Sequence, residues 1–236
     1  MKKLILTLTI AFTLISCYDF ENQKKGDGNV TTNTREVTGN FTKIVVGKAI
    51  DVEVEQGDAY SIEVEADSNL LQHIKTTIEN GVLKISSDIN IQNAEKLLVR
   101  VKMKQITELE TTGASSLKSV NVLKGKSLRI AASSASDINV EAEYEQMHLE
   151  TTSTGEITIK GKTLKLETSA SSASEINASE LLANEVFSQA TSASETTVHA
   201  IVKLDAKASS ASTISSVKTP REVRKEETSA GEIKIE

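Results

Sequence analysis

The chain has 236 residues, 38% hydrophobic and 25% charged, with a formal net charge of −6. An acidic chain without a basic cluster is a poor match for nucleic acid or anionic headgroups, so no nucleic acid is expected as a partner. One cysteine excludes an internal disulfide framework, and 3% aromatic residues with no tryptophan leave little for stacking against sugar rings.

The first residues read as a leader. Lys2 and Lys3 give a basic start, Leu4 to Leu14 form an apolar run too short to span a bilayer, and Ser16-Cys17 ends it. Leu14, Ile15, Ser16 and Cys17 together resemble the lipobox of bacterial lipoproteins. That resemblance implies cleavage after residue 16, lipidation of Cys17, and the membrane as a partner through that anchor. Without it, the same residues are an ordinary signal peptide with an incidental cysteine. Each buried acyl methylene contributes about 0.8 kcal/mol, so several chains hold a protein stably. The acidic stretch Tyr18 to Glu21 has a loose similarity to surface-export signals of Bacteroidetes lipoproteins, and reads equally as solvated linker. Residues 17–36 are polar, contain Gly26 and Gly28, and are expected to form a flexible tether.

Residues 37–106 form an N-terminal β segment. Residues 50–55 alternate strictly, Gln56, Gly57 and Asp58 turn, and residues 60–65 alternate again. Residues 68–74 fit one helical turn or a corner. Asn80-Gly81 is a tight-turn signal ahead of a strand over 82–85. Residues 97–103 predict a further strand, buried on both faces at Leu97 and Leu98.

Residues 107–236 repeat. Seven short phrases rich in Ser, Ala and Gly have their third residue at Ser115, Ser136, Gly155, Ser174, Ser194, Ser212 and Gly231, in steps of 18 to 21. An aliphatic follows two positions later in every copy except the fifth, where Thr196 stands. The flanks alternate with a period of two, which is a strand pattern. Carried through the phrase, that alternation places Ser172 and Ser174 on one face with Leu166, Thr168, Ala170 and Ile176. About 19 residues is too short for a strand-helix-strand unit, which needs about 30. It suits short strands with tight corners, stacked in parallel about 4.8 Å apart. The fold class is therefore all-β, a parallel β-helix solenoid with right-handed coiling favoured. The seven third-position residues form its structural ladder. Charges on the last strand, Glu232, Lys234 and Glu236, protect its open end.

The opening residues 41–47, the Glu55 to Asp58 turn, the stretch Val64 to Leu71, the turn and strand over 80–85, and the small-residue rungs together resemble a known family. It is the auto-transporter adhesin family with a head GIN domain, found mostly in Bacteroidetes, and the resemblance covers roughly residues 37–236. It implies an all-β protein built as one β-helix or as two packed β-helical segments, secreted or lipid-anchored, with no catalytic residues to carry across.

The residues themselves carry little chemistry. His73, His148 and His199 have no second ligand at metal spacing, so no metal and no cofactor are expected. No Gly-x-Ser-x-Gly elbow occurs, and repetition makes the serines ladder residues rather than nucleophiles. A polysaccharide-cleaving β-helix would need convergent carboxylates, for which Glu110, Glu150, Glu167, Asp205 and Glu226 are the candidates. Tyr144, in a polar stretch, is the ring expected to be exposed for sugar contact. The reading is a non-enzymatic outer-membrane lipoprotein, surface- or periplasm-facing, that presents a binding face to protein or glycan. A glycan-binding or glycan-cleaving protein and a periplasmic scaffold are the alternatives.

Overall fold

The computed structural model describes residues 23–236; the leader and Cys17 lie outside the described residues. No α-helix occurs among the described residues, only a 3-10 turn at Leu71–His73. No helix there is long and apolar enough to cross a membrane. The strands of the first half are β1 (Gln23–Lys25), β2 (Val30–Arg35), β3 (Lys43–Val46), β4 (Asp51–Gln56), β5 (Ser61–Asp67), β6 (Ile74–Glu79), β7 (Val82–Ser87), β8 (Asn90–Asn93) and β9 (Leu97–Met103). The second half supplies β10 (Glu108–Thr111), β11 (Ser116–Ser119), β12 (Leu123–Ser133), β13 (Asp137–Thr152), β14 (Glu156–Ala170), β15 (Glu175–Ala190), β16 (Glu195–Ala208), β17 (Thr213–Ser216), β18 (Glu222–Glu227) and β19 (Glu232–Ile235).

From β10 to β19 every pairing is parallel, each strand bonding to its counterpart about one repeat away. This is a β-solenoid, and identical positions of successive rungs stack in columns. The inner columns are apolar: Val52, Leu117, Ile138, Ile157, Ile176, Thr196, Ile214 and Ile233 follow one another in register. All are buried.

Between the two strands of a rung lies the small-residue phrase, and there the simple alternation fails. Its first two residues both take positive φ: Ser134 and Ala135, Ser153 and Thr154, Ser172 and Ala173, Ser192 and Ala193, Ser210 and Ala211, Ser229 and Ala230. Two left-handed residues in succession turn the chain sharply and reset the inside-outside phase. Ser172 is therefore exposed, not inward as continuous alternation placed it, while Ser174 is buried. The corners also stack. The amide of Ala135 donates to Ser153 O, Thr154 to Ser172 O, Ala173 to Ser192 O, Ala193 to Ser210 O and Ala211 to Ser229 O, at 3.0–3.2 Å.

The third residue locks the corner from inside. Ser174 Oγ accepts from the Ser171 amide at 3.2 Å and lies 2.7 Å from Ser171 O and 2.9 Å from Thr151 Oγ1 of the preceding rung. Ser136, Ser194 and Ser212 likewise bond the residue three back and a carbonyl of the preceding rung. Ser115 is equally buried, and the Ile50 amide reaches its hydroxyl at 3.4 Å. Gly155 and Gly231 close the corner by backbone alone, donating to Thr152 O and Thr228 O. A Cβ at Gly155 would lie 2.2 Å from Ala132 O, so no serine fits there without displacement.

The solenoid begins earlier than the repeat. Lys48 and Ala49 also take positive φ, and β3 and β4 stand in parallel register with β10 and β11. Residues 41–56 are thus a rung in which Ile50 replaces the third-position serine. Its other side is covered by β7 under β3 and β9 under β4, both parallel. Strands β5, β2 and β6 then run antiparallel and cap the stack. β9 therefore lies between β4 and β5, which explains its apolar run. Asn80-Gly81, both at positive φ, turns β6 into β7.

Residues 23–36, expected as tether, carry β1 and β2 instead. β1 pairs with β8. The fully buried Asp67 holds the intervening loop, its carboxylate accepting from the amides of Gly28, Glu95 and Lys96 at 2.7–3.2 Å. Burial pushes this carboxyl up, but the amide bonds outweigh burial and hold it below the usual carboxylate range.

Two buried hydroxyls predict opposite outcomes. Thr196 Oγ1 has no partner within the described residues, so Thr196→Val removes an uncompensated polar group and is expected to stabilise by about 1 kcal/mol. Ser174→Ala leaves the buried Thr151 hydroxyl of the preceding rung without its partner and is expected to cost about 1–2 kcal/mol. Denaturant midpoints of the two variants would show both signs; equal effects would contradict this assignment.

Candidate binding surface of the solenoid

Because rungs stack in register, exterior residues also form columns. One runs through Lys43, Glu108, Arg129, His148, Glu167, Phe187, Asp205 and Arg224. Opposite charges alternate from Lys43 to Arg129, and its acids further along are met by cations of the same or neighbouring columns. Glu108 meets Lys43 at 2.7 Å and Arg129 at 2.9 Å, and Arg129 also reaches Glu150 at 2.7 Å. Lys165 bonds Glu167 at 2.6 Å, Lys207 faces Glu226 at 3.2 Å and Arg224 faces Asp205 at 3.6 Å. Lys165 holds the Glu167 carboxyl below its ordinary range. A general acid for glycoside cleavage needs the opposite shift. Four of the five candidate acids, Glu150, Glu167, Asp205 and Glu226, are thus spoken for by cations, and Glu110 stands beside them in the adjoining column.

The histidines stand apart. His73 Nδ1 lies 2.9 Å from Asp88, His148 sits between Glu150 and Glu167, and His199 Nδ1 lies 3.2 Å from Ser179 O. No cluster of three metal-ligating side chains occurs among the described residues.

A second column begins just past the corners: Asp51, Ser116, Asp137, Glu156, Glu175, Glu195, Thr213 and Glu232. Here four acids stack on four successive rungs. Burial, then the charges of Glu156 and Glu195, push the Glu175 carboxyl up. Burial and then Asp137 do the same to Asp51. The signal was visible in the sequence, since an acid follows the third position of five phrases, but only stacking makes it a stripe.

The third feature is apolar. Leu164, Leu182 and Ile201 are 57%, 44% and 41% exposed on β14, β15 and β16. With Tyr144, Lys162 and Asn184 among their neighbours they line a groove of about 480 Å³. It lies at the second bend of the rung, where Leu164 and Lys165, or Asn184 and Glu185, face outward in succession. Tyr144 is not the exposed ring that its polar surroundings suggested. It is 4% exposed, its hydroxyl donates to Ile106 O at 2.8 Å, and burial pushes its pKa far up. Gly125 is its cross-strand partner, and a Cβ there would meet the ring at 2.5 Å. The ring thus forms the floor of the groove.

The acid column has a pH signature. A raised folded-state pKa means that the native state binds the proton more tightly, so stability falls as pH rises from the ordinary glutamate value of 4.5 through the raised one. Glu175→Gln is expected to stabilise at pH 7 by on the order of 0.5 kcal/mol, with the gain fading at pH 3 and in high salt. Thermal denaturation against pH reads this directly; a destabilised variant at pH 7 would contradict it.

A comparison with curated proteins finds no match. Among solved structures the fold is similar to a putative adhesin from Bacteroides fragilis, at TM-score 0.83 and 16% identity, covering 90% of this chain and 100% of that one. It is also similar to a putative lipid binding protein from Parabacteroides distasonis (TM-score 0.75, 21% identity, 91% and 100% covered). A putative adhesin from Parabacteroides merdae gives TM-score 0.74 at 20% identity, with 91% and 100% covered. Residues 40–220 match the family described as "Putative auto-transporter adhesin, head GIN domain". That span holds the early rung, β5 and β6 of its antiparallel cap and the corners up to Ser210-Ala211, and the chain belongs to this family.

Proposed function

We propose that this chain is a non-catalytic adhesin of the cell envelope, anchored to the outer membrane through lipid on Cys17 and facing the cell exterior. In this reading residues 1–16 are a cleaved lipoprotein leader and residues 17–22 link the anchor to β1. Membership of an adhesin family supports the general class, and the sequence around Cys17 supports the anchor.

The observation that carries the reading is the ledge of Leu164, Leu182 and Ile201 on three successive rungs. Large apolar side chains held open on rigid strands cost solvation and mark contact sites when they cluster. A protein partner suits this ledge better than a glycan. Phe41 and Tyr144 are buried, while Tyr60 and Phe187 are partly covered, so no fully open ring among these offers a sugar platform. Many anchored copies convert individually weak contacts into firm attachment.

Beads coated with the chain test this against intact cells and against immobilised surface proteins. The triple variant Leu164→Ser, Leu182→Ser, Ile201→Ser is expected to fold normally and to lose at least tenfold in bead retention. Undiminished retention would remove the ledge from the account. External protease that never cleaves the chain on intact cells would remove the surface location.

A further inference from the structure

The ledge lies in a field of charge whose sign changes from strand to strand. At the second bend, β13 carries Glu143 and Glu145, β14 carries Lys162 and Lys165, β15 carries Glu185 and β16 carries Lys203. All of these but Glu143 are exposed. Lys165 bonds Glu167 on its own strand, which leaves the adjacent Glu185 without an ion pair among the described residues. The aliphatic residues alternate too. Down the column of Leu164, the strands β13 to β16 present Glu145, Leu164, Asn184 and Ile201, so a smaller polar side chain separates the two large apolar ones.

We propose that the partner of the ledge is the same ledge on a second copy of this chain, laid antiparallel, a step that rests on the contact face proposed above. The two-fold axis lies in the interface, across both rods and midway between β14 and β15. Each column then faces itself with the strands interchanged, β14 over β15 and β13 over β16. Lys165 meets Glu185 of the second copy in two equivalent contacts, and Glu145 comes beside Lys203. Leu164 of each copy sits over Asn184 of the other, in the gap between Leu164 and Ile201. Aliphatic side chains of the two copies thus alternate along the column and bury one another. The Lys162 stem covers Leu182. Like charges meet only at the rim, where Lys124 and Lys126 come over Lys218 and Arg221 beside Glu222.

Two rods side by side and parallel would have the axis along the rods and set the bend of each strand against itself. Lysine would then face lysine at β14, which opposes pairing. The antiparallel contact is closed and isologous, and it points the two capped ends in opposite directions. The chain enters at the capped end, through β1 and β2. Anchored copies that pair this way therefore stem from facing membranes, and the contact joins one cell to another. Two convex bends share a narrow strip, against the roughly 1,200 Å² of stable complexes. Single contacts are weak, and arrays of anchored copies add.

Beads coated with the mature chain, coupled through the thiol of Cys17, test this. Wild-type beads are expected to cluster with one another. K165E sets glutamate against Glu185 and E185K sets lysine against Lys165, so beads of either variant alone are expected to cluster about fivefold less. Mixed beads of the two variants regain opposite charges at both contacts and are expected to cluster as wild type does, which a folding defect could not do. Single variants that cluster like wild type, or a mixture that clusters no better than either variant alone, would overturn the proposal. So would wild-type beads that never cluster; their retention on cells through the ledge would then leave the adhesin standing with a different protein partner.

Discussion

Each rung of this molecule closes on two consecutive residues at positive φ, a conformation that costs an ordinary L-residue roughly 1–2 kcal/mol. Glycine takes one of these places only at Gly113; elsewhere Ser, Thr, Ala and Lys48 adopt the strained conformation. What offsets the strain is repetition. A corner directly above another can pass its amide to the carbonyl below, and from Ala114 to Ala211 every such amide does so. An isolated corner has the strain without the ladder, so these corners depend on their neighbours being in place. The buried serine adds a second tie, bonding both its own corner and the rung before it.

The same register orders the outside. A parallel stack places like positions one above another, so a substitution pattern along the repeat becomes a stripe along the rod. Where the chain alternates Glu with Arg and Lys, the stripe is neutralised and braces the strands. Where it keeps an acid after four successive corners, the stripe carries unrelieved repulsion, which adds to burial in raising the carboxyl pKa of Glu175. Where the second bend turns aliphatic residues outward, Leu164, Leu182 and Ile201 from neighbouring columns form a ledge. Binding on such a rod follows a line of neighbouring rungs, which suits extended contact with another surface better than enclosure of a small molecule.

How much of this was legible in the sequence depended on whether the signal was local. The strands, the Asn80-Gly81 turn and the stacked solenoid followed from period-two alternation and from the spacing of the small-residue phrases. The phase of Ser172 did not, because inward and outward placement both satisfy an alternation of serines and alanines, and only the sign of φ separates them. The rung at residues 41–56 hid because its partner strands lie about 65 residues further on and Ile50 replaces the serine. β2 resembled a tether because threonine and asparagine give no apolar face. Tyr144 looked exposed among charged neighbours, while the cue to its burial was Gly125, a rung away. The ledge left no pattern, since Leu164 stands in a polar run while Leu182 and Ile201 merge with the buried residues beside them.

The central claim is that the corners are stacked structure rather than loops. Amide hydrogen exchange read residue by residue tests it most directly. The amides of Ala135, Ala173, Ala193 and Ala211 sit at exposed turns, yet the ladder predicts that they exchange as slowly as amides within β14 and β15. Exchange of those four at the rate of an open turn would mean that the rungs are not joined at their corners.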